Sequence, residues 1–202
     1  MAITNYGELK TAVAEWVNRE DDDEILARVP DFIRMAEARI YRELRCPANE
    51  ATVASDSYST SAGAPLPADY LEMRSVRWDG IVLDRISDRD NRQYLAGETP
   101  RYFARRGSYL RLYPTPSSAG ELELNYWQDQ SGLSADSDTC NVLAVAPDLY
   151  LYASLIEAEP FLENEARLPL WQHKYQQALE QIQDMAERDE LSGGVMAVRS
   201  AY

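Results

Sequence analysis

The chain has 202 residues, 45% of them hydrophobic and 27% charged, which is the profile of a folded globular protein and not of a disordered one. Acidic residues outnumber Lys and Arg by 34 to 20, a formal charge of −14, which argues against a surface that grips nucleic acid by neutralising phosphates. Two cysteines, Cys46 and Cys140, are too few for a disulfide framework, no apolar run reaches the roughly 20 residues a bilayer requires, and Met1 to Tyr6 lacks the features of a secretory signal, so a reducing cytosol is the expected compartment.

The first third reads as helix. Tyr6, Leu9, Val13, Trp16 and Val17 recur at the spacing of one helix face, with Glu8, Lys10 and Glu15 between them. Asn18 to Glu24 is a polar, mostly acidic break. Val29-Pro30-Asp31 announces a second helix, with proline in its first turn and an acid at its positive end. Ile33, Ala36, Ile40 and Leu44 form its buried stripe, and Pro47 stops it.

From Asn49 to Asp138 short β-branched and aromatic runs alternate with turn signals. Thr52 to Tyr58 forms one strand. Tyr70 to Trp78 leads through Asp79-Gly80 into Ile81 to Leu83, the strongest local hairpin cue in the chain. Ser87 to Leu95 has the pattern of a short helix. Tyr102 and Phe103 go out, Arg106-Gly107 turns, and Tyr109, Leu110 and Leu112 return. Leu122, Leu124 and Tyr126 alternate with Glu121, Glu123 and Asn125, a half-buried strand.

The last third is helical again. Leu149 to Ile156 is apolar almost all round, so it is buried on every side, in its own core or against a partner. A longer helix runs from about Glu165 to Glu190, and its stripe of Leu168, Trp171, Tyr175, Ala178, Ile182 and Met185 is a near-heptad seam. Leu191-Ser192-Gly193-Gly194 then releases a tail in which Val195, Met196, Val198 and Tyr202 are bulky and apolar. Such an arm either docks on another chain or folds back on its own domain.

The fold expected is therefore α+β. An α-helical bundle from the N- and C-terminal segments (1–47 and 141–190) carries an inserted antiparallel β-rich region (48–140) and ends in an extended C-terminal arm (191–202).

Chemistry is scarce. A single histidine, His173, lies off the apolar seam, so a Ser-His-Asp triad or a histidine metal site has one residue to rest on. Cys46 and Cys140 read as small buried residues. Asp136 and Asp138 have the first spacing of a calcium loop, but Cys140, Asn141 and Pro147 occupy the positions where a third ligand, a glycine and a closing glutamate are needed. No nucleotide-binding glycine motif is present. Catalytic residues, cofactors and metals are accordingly expected to be none. Arg101, Arg105, Arg106 and Arg111, interleaved with Tyr102, Phe103, Tyr109 and Tyr113, form the one basic-aromatic cluster, which can stack on bases or face another protein; the overall charge favours the protein.

The order of segments resembles a known family. It runs Val29-Pro30-Asp31-Phe32-Ile33-Arg34-Met35-Ala36-Glu37-Ala38-Arg39-Ile40, then Leu66-Pro67-Ala68-Asp69-Tyr70-Leu71-Glu72 and Thr99-Pro100-Arg101-Tyr102-Phe103. Leu110-Arg111-Leu112-Tyr113-Pro114-Thr115-Pro116, Leu122 to Trp127, and Pro147 to Ala153 follow, before the long closing helix. This is similar to the head-to-tail adaptor (connector) proteins of tailed bacteriophages related to tail tubular protein A. The resemblance implies a structural protein of the virion neck, made in the host cytoplasm. It implies a dodecameric ring of copies below the portal protein, a downstream tail or nozzle protein as the next partner, no membrane, and DNA passing without sequence-specific binding. The negative charge suits a wall that DNA slides past, though it also serves plain solubility.

On this reading Val195, Met196, Val198, Arg199 and Tyr202 form the portal-binding arm. Leu149, Tyr152, Ile156, Leu168, Trp171, Tyr175 and Ile182 pack neighbouring subunits, and Arg101, Tyr102, Arg105, Arg106 and Tyr109 form an interface of the β region. Two other readings compete. One is a cell-wall hydrolase using a pair of the many carboxylates, although no spacing identifies the pair. The other is a β module that binds a tail or fibre protein.

Overall fold

The computed structural model describes residues 2–58, 63–89, 99–163 and 165–191. It is an α+β protein with two compact units, one formed by residues 1–49 and 130–202 and the other by 50–129.

The first unit is helical: α1 (Tyr6–Trp16), α2 (Asp23–Glu43), α3 (Asn141–Val145), α4 (Pro147–Ala158) and α5 (Leu168–Leu191). Asn5 caps α1 by accepting from the Glu8 amide, while Glu8 accepts from the Thr4 amide and hydroxyl. A loop far along the chain completes this end. The carbonyls of Asp138 and Asp136 accept from the Tyr6 and Gly7 amides, and Lys10 pairs with Asp136.

Helix α2 begins six residues before the Val29-Pro30 signal. Asp22 supplies the cap by accepting from the Glu24 and Ile25 amides, and Ile25 and Val29 extend the buried face of Phe32, Ile33, Ala36 and Ile40 back toward the start. Pro30 therefore sits inside the helix, where one backbone donor is missing. The side-chain cap and the two extra buried residues offset that loss.

Helices α2 and α4 make the most extensive contact of any helix pair, and α5 lies against α4. Leu149, Tyr150, Ala153 and Leu155 of α4 are fully buried, as the all-round apolar pattern requires. Ser154 tolerates burial by donating its hydroxyl to the Tyr150 carbonyl one turn earlier. Glu37 is also buried, at 2% exposure. Its carboxylate accepts from the Gly132 and Leu133 amides and fixes the chain as it re-enters this unit.

The second unit is a pair of four-stranded sheets. The first has the order β1 (Glu50–Tyr58), β8 (Gly120–Gln128), β3 (Tyr70–Trp78), β4 (Ile81–Val82). The second has the order β2 (Ala64–Pro65), β7 (Tyr109–Tyr113), β6 (Tyr102–Arg106), β5 (Asp84–Arg85). Among the described residues all pairs are antiparallel except the short β5–β6 pair. Val76, Trp78, Leu122, Leu124 and Tyr126 from one sheet and Phe103, Leu110 and Leu112 from the other form one core, so the sheets pack face to face.

Both expected hairpins form. At the first, Asp79 and Gly80 take positive φ angles of 47° and 78°, the conformation a two-residue hairpin turn demands. The returning strand, however, pairs over only two residues, and the long partner of β3 is β8. The reason lies in Leu83, which leaves the strand to enter the core at 3% exposure. The helix expected from Ser87 to Leu95 extends past the described residues at Arg89.

The two crossings between units lie side by side. Glu50 pairs with Trp127 across β1 and β8, and the Ala48 carbonyl accepts from the Gln130 side chain.

Candidate assembly surfaces

Three helices meet at an aromatic knot. Tyr152 of α4 stacks on Trp171 of α5 with centroids 6.1 Å apart and planes 14° apart, and Trp16 at the end of α1 sets its edge against both rings. Beneath them Glu159 is fully buried. Its Oε1 accepts from Trp171 Nε1 at 2.7 Å and lies 3.4 Å from Arg167 Nε. Arg167 in turn covers the Trp171 ring at 5.0 Å and donates to the Trp16 carbonyl. Glu159 Oε2 is buried without a hydrogen-bond partner among the described residues.

This geometry separates the residues of the helix seam. Leu149, Ile156, Trp171 and Tyr175 are buried within the helical unit itself, and Tyr152 spends its flat face on Trp171. Their apolar surface is consumed by the chain's own core. On α5 the apolar residues that stay in water are the partly exposed Leu168 and Ile182, together with the exposed Leu170 and Met185. Ile182 and Met185 line an apolar groove of about 740 Å³ with Cys46, Pro47, Val145 and Ala186. Val145 and Met185 are 60% and 62% exposed there, so the groove keeps its apolar walls in water. Tyr175 instead ties α5 to the end of α2 by donating its hydroxyl to Glu43.

A second buried polar group lies on the other side of α4. The Tyr41 and Tyr150 hydroxyls are 3.0 Å apart, and both approach the Cys140 sulfur, at 3.6 Å and 3.1 Å. Burial pushes both phenols far above the ordinary tyrosine value, and the nearby Cys140 raises each further. Cys140 Sγ also caps the five-residue α3 by accepting from the Leu143 amide. No base adjoins Cys140 in this network, and burial raises the Cys46 thiol above its ordinary value. His173 is exposed on α5. Among the described residues no group of three His, Cys, Asp or Glu side chains could hold a metal ion. Asp138, half of the calcium-like spacing, instead accepts from the Ser134 and Ala135 amides, which hold its carboxyl below the usual carboxylate range.

In the strand unit the basic-aromatic cluster divides. Arg101 precedes β6, while Arg105 and Arg106 lie at its far end, about 13–16 Å away at strand rise. Tyr102 is half-buried at the Arg101 end. Tyr109, 49% exposed, pairs with Arg106 across the hairpin. Arg105 lies over the Tyr70 ring at 5.1 Å and donates to the Gly107 carbonyl.

Arg105 and Arg106 open onto a concavity of about 670 Å³ whose other walls carry Arg85, Arg89 and Asp88. Asp88 is the one acid of its lining among the described residues. It accepts from the Tyr113 hydroxyl and lies 3.8 Å from Arg106. Arg85 and Arg89 carry no signal in the sequence, because a short parallel strand pair brings Arg85 beside Phe103, and no local periodicity marks such a pairing. The arm residues Val195, Met196, Val198, Arg199 and Tyr202 lie outside the described residues.

No helix among the described residues is long and apolar enough to cross a membrane. No curated protein matches the chain. A family profile does: the one described as SU10 adaptor protein matches residues 4–199, running through the helical ends and the strand-rich middle alike. The segment order that resembles phage adaptors thus has a counterpart over almost the whole length, and the chain belongs to the SU10 adaptor protein family.

Proposed function

We propose that the protein is a structural head-to-tail adaptor of a tailed bacteriophage. In this reading twelve copies form a ring below the portal protein in the virion neck, the arm from Val195 to Tyr202 docks on the portal, a tail or nozzle protein follows, and DNA passes through. The closer likeness to tail tubular protein A that the segment order suggests belongs to the same reading. The observation that carries it is the family match over residues 4–199, because it covers both units and not a widespread single motif.

The charge is consistent with it. A surface with a −14 bias repels phosphates, so a channel built from this chain lets DNA slide. The test is electron microscopy of the purified protein incubated with its cognate portal. Rings seated on the portal are expected, and a folded protein that leaves the portal bare would overturn the proposal.

A further inference from the structure

The charge of this protein is unevenly spread. The strand unit, residues 50–129, holds 12 acidic and 9 basic residues, a charge of −3, whereas the remaining residues hold 22 and 11, a charge of −11. Within the strand unit four arginines, Arg85, Arg89, Arg105 and Arg106, line one open concavity with a single acid among the described residues. That acid, Asp88, is already engaged by Tyr113 and Arg106. Arg85 and Arg89 are exposed and make no ion pair among the described residues. Two exposed guanidinium groups with no ion pair among the described residues are suited to take carboxylates in forked geometry.

The same chain carries the complementary group. Glu20-Asp21-Asp22-Asp23-Glu24 is a run of five acids in the loop between α1 and α2 and the first turn of α2. Asp22 is committed to capping α2, but Glu20, Asp21, Asp23 and Glu24 are exposed and make no ion pair among the described residues. Asn18, at φ 56°, turns the chain out of α1, and the Asp22 amide donates to the Arg19 carbonyl, so the run is presented on a closed turn.

We infer that the arginine concavity of one copy receives the acidic 20–24 loop of a second copy. Two different patches that fit one another make a heterologous contact, the kind that closes into a ring. Opposite charges at such a contact also set its register and speed its formation. The inference rests on the ring reading given above and names one contact within it.

The test reverses charge on each side. Arg85→Glu with Arg89→Glu, and separately Asp21→Lys with Asp23→Lys, should each lower the yield of portal-seated rings at least tenfold at low salt. The four changes combined should restore most of that yield. The milder pairs Arg85→Gln with Arg89→Gln and Asp21→Asn with Asp23→Asn should act in the same direction, and circular dichroism checks that every variant is folded.

Rings that form normally from both reversed variants would leave the adaptor reading standing and overturn this contact. So would a folded four-fold variant that fails to recover. If the arginine reversals abolish binding of a duplex DNA oligonucleotide while rings persist, the concavity is a phosphate site and the inference fails. Should the wild-type protein itself form no ring on the portal, the adaptor reading and this contact fall together.

Discussion

At the scale of the residue, the buried polar groups decide how the helical unit holds together. Glu159 joins α4 to α5 through Trp171 and Arg167, and removing it leaves the buried Trp171 Nε1 donor without its acceptor and takes an ion pair from the partly exposed Arg167. Glu159→Ala should cost about 2–4 kcal/mol, while Glu159→Gln, which keeps an acceptor for Trp171, should cost clearly less. Chemical denaturation followed by tryptophan fluorescence measures both. The tyrosines set a pH limit. Tyr41, Tyr150 and Tyr175 have folded-state pKa values raised chiefly by burial, above the roughly 10 of an unfolded chain. A raised pKa means that the folded state favours the neutral phenol. Their contribution is therefore complete below about pH 10 and lost as the pH climbs beyond it. Exposed phenols such as Tyr109 ionise without unfolding, but the share of tyrosinate absorbance from the buried phenols should rise only together with loss of helical dichroism. Complete ionisation of all the tyrosines while the helices stay intact would contradict the burial assigned to Tyr41 and Tyr150. Tyr126, pushed up to about 12 chiefly by burial with a further contribution from Asp69, follows the same sign within the strand unit.

At the scale of the element, local chemistry sets boundaries and long-range packing sets partners. Replacing Asp22 by Ala removes the cap of α2 and should cost about 0.5–2 kcal/mol, with most of the fraying confined to the turn before Val29, as amide exchange would report. Gly120 meets a different constraint. A Cβ there would lie 2.4 Å from the Trp78 ring, so Gly120→Ala should cost about 1–3 kcal/mol and shift tryptophan emission. Gly107→Ala, where a Cβ meets nothing within 4 Å, should leave the emission unmoved despite its positive φ. Much of this was legible in the sequence. The α+β class, both hairpin turns and the alternation that buries Leu122, Leu124 and Tyr126 all follow from periodicity and turn chemistry. The start of α2 was not, because a proline normally marks a first turn and here a side-chain cap further upstream overrides it. The seam on α5 was read only as far as its periodicity goes. Spacing identifies an apolar face, but it does not say whether that face meets the chain's own α4 or another subunit, and Trp171 and Tyr175 meet their own unit. The arginine concavity was half legible. Arg105 and Arg106 are neighbours in sequence, while Arg85 and Arg89 join them only through pairing of β5 with β6.

For the whole molecule, assembly and stability can be separated experimentally. Deleting Val195 to Tyr202 should leave the melting temperature almost unchanged and weaken portal binding, measured by co-sedimentation. A truncated protein that unfolds, or docks as well as the full chain, would remove the arm from the proposed function. The paired crossings between the units carry a further consequence. Partners such as Glu50 and Trp127 lie about 5 Å apart in an antiparallel ladder, a gap that a two-residue turn spans. Everything from 50 to 129 is thus a cassette attached at one closely spaced pair of ends. A two-residue turn in place of that cassette would therefore close the helical unit's chain with no other change to its sequence.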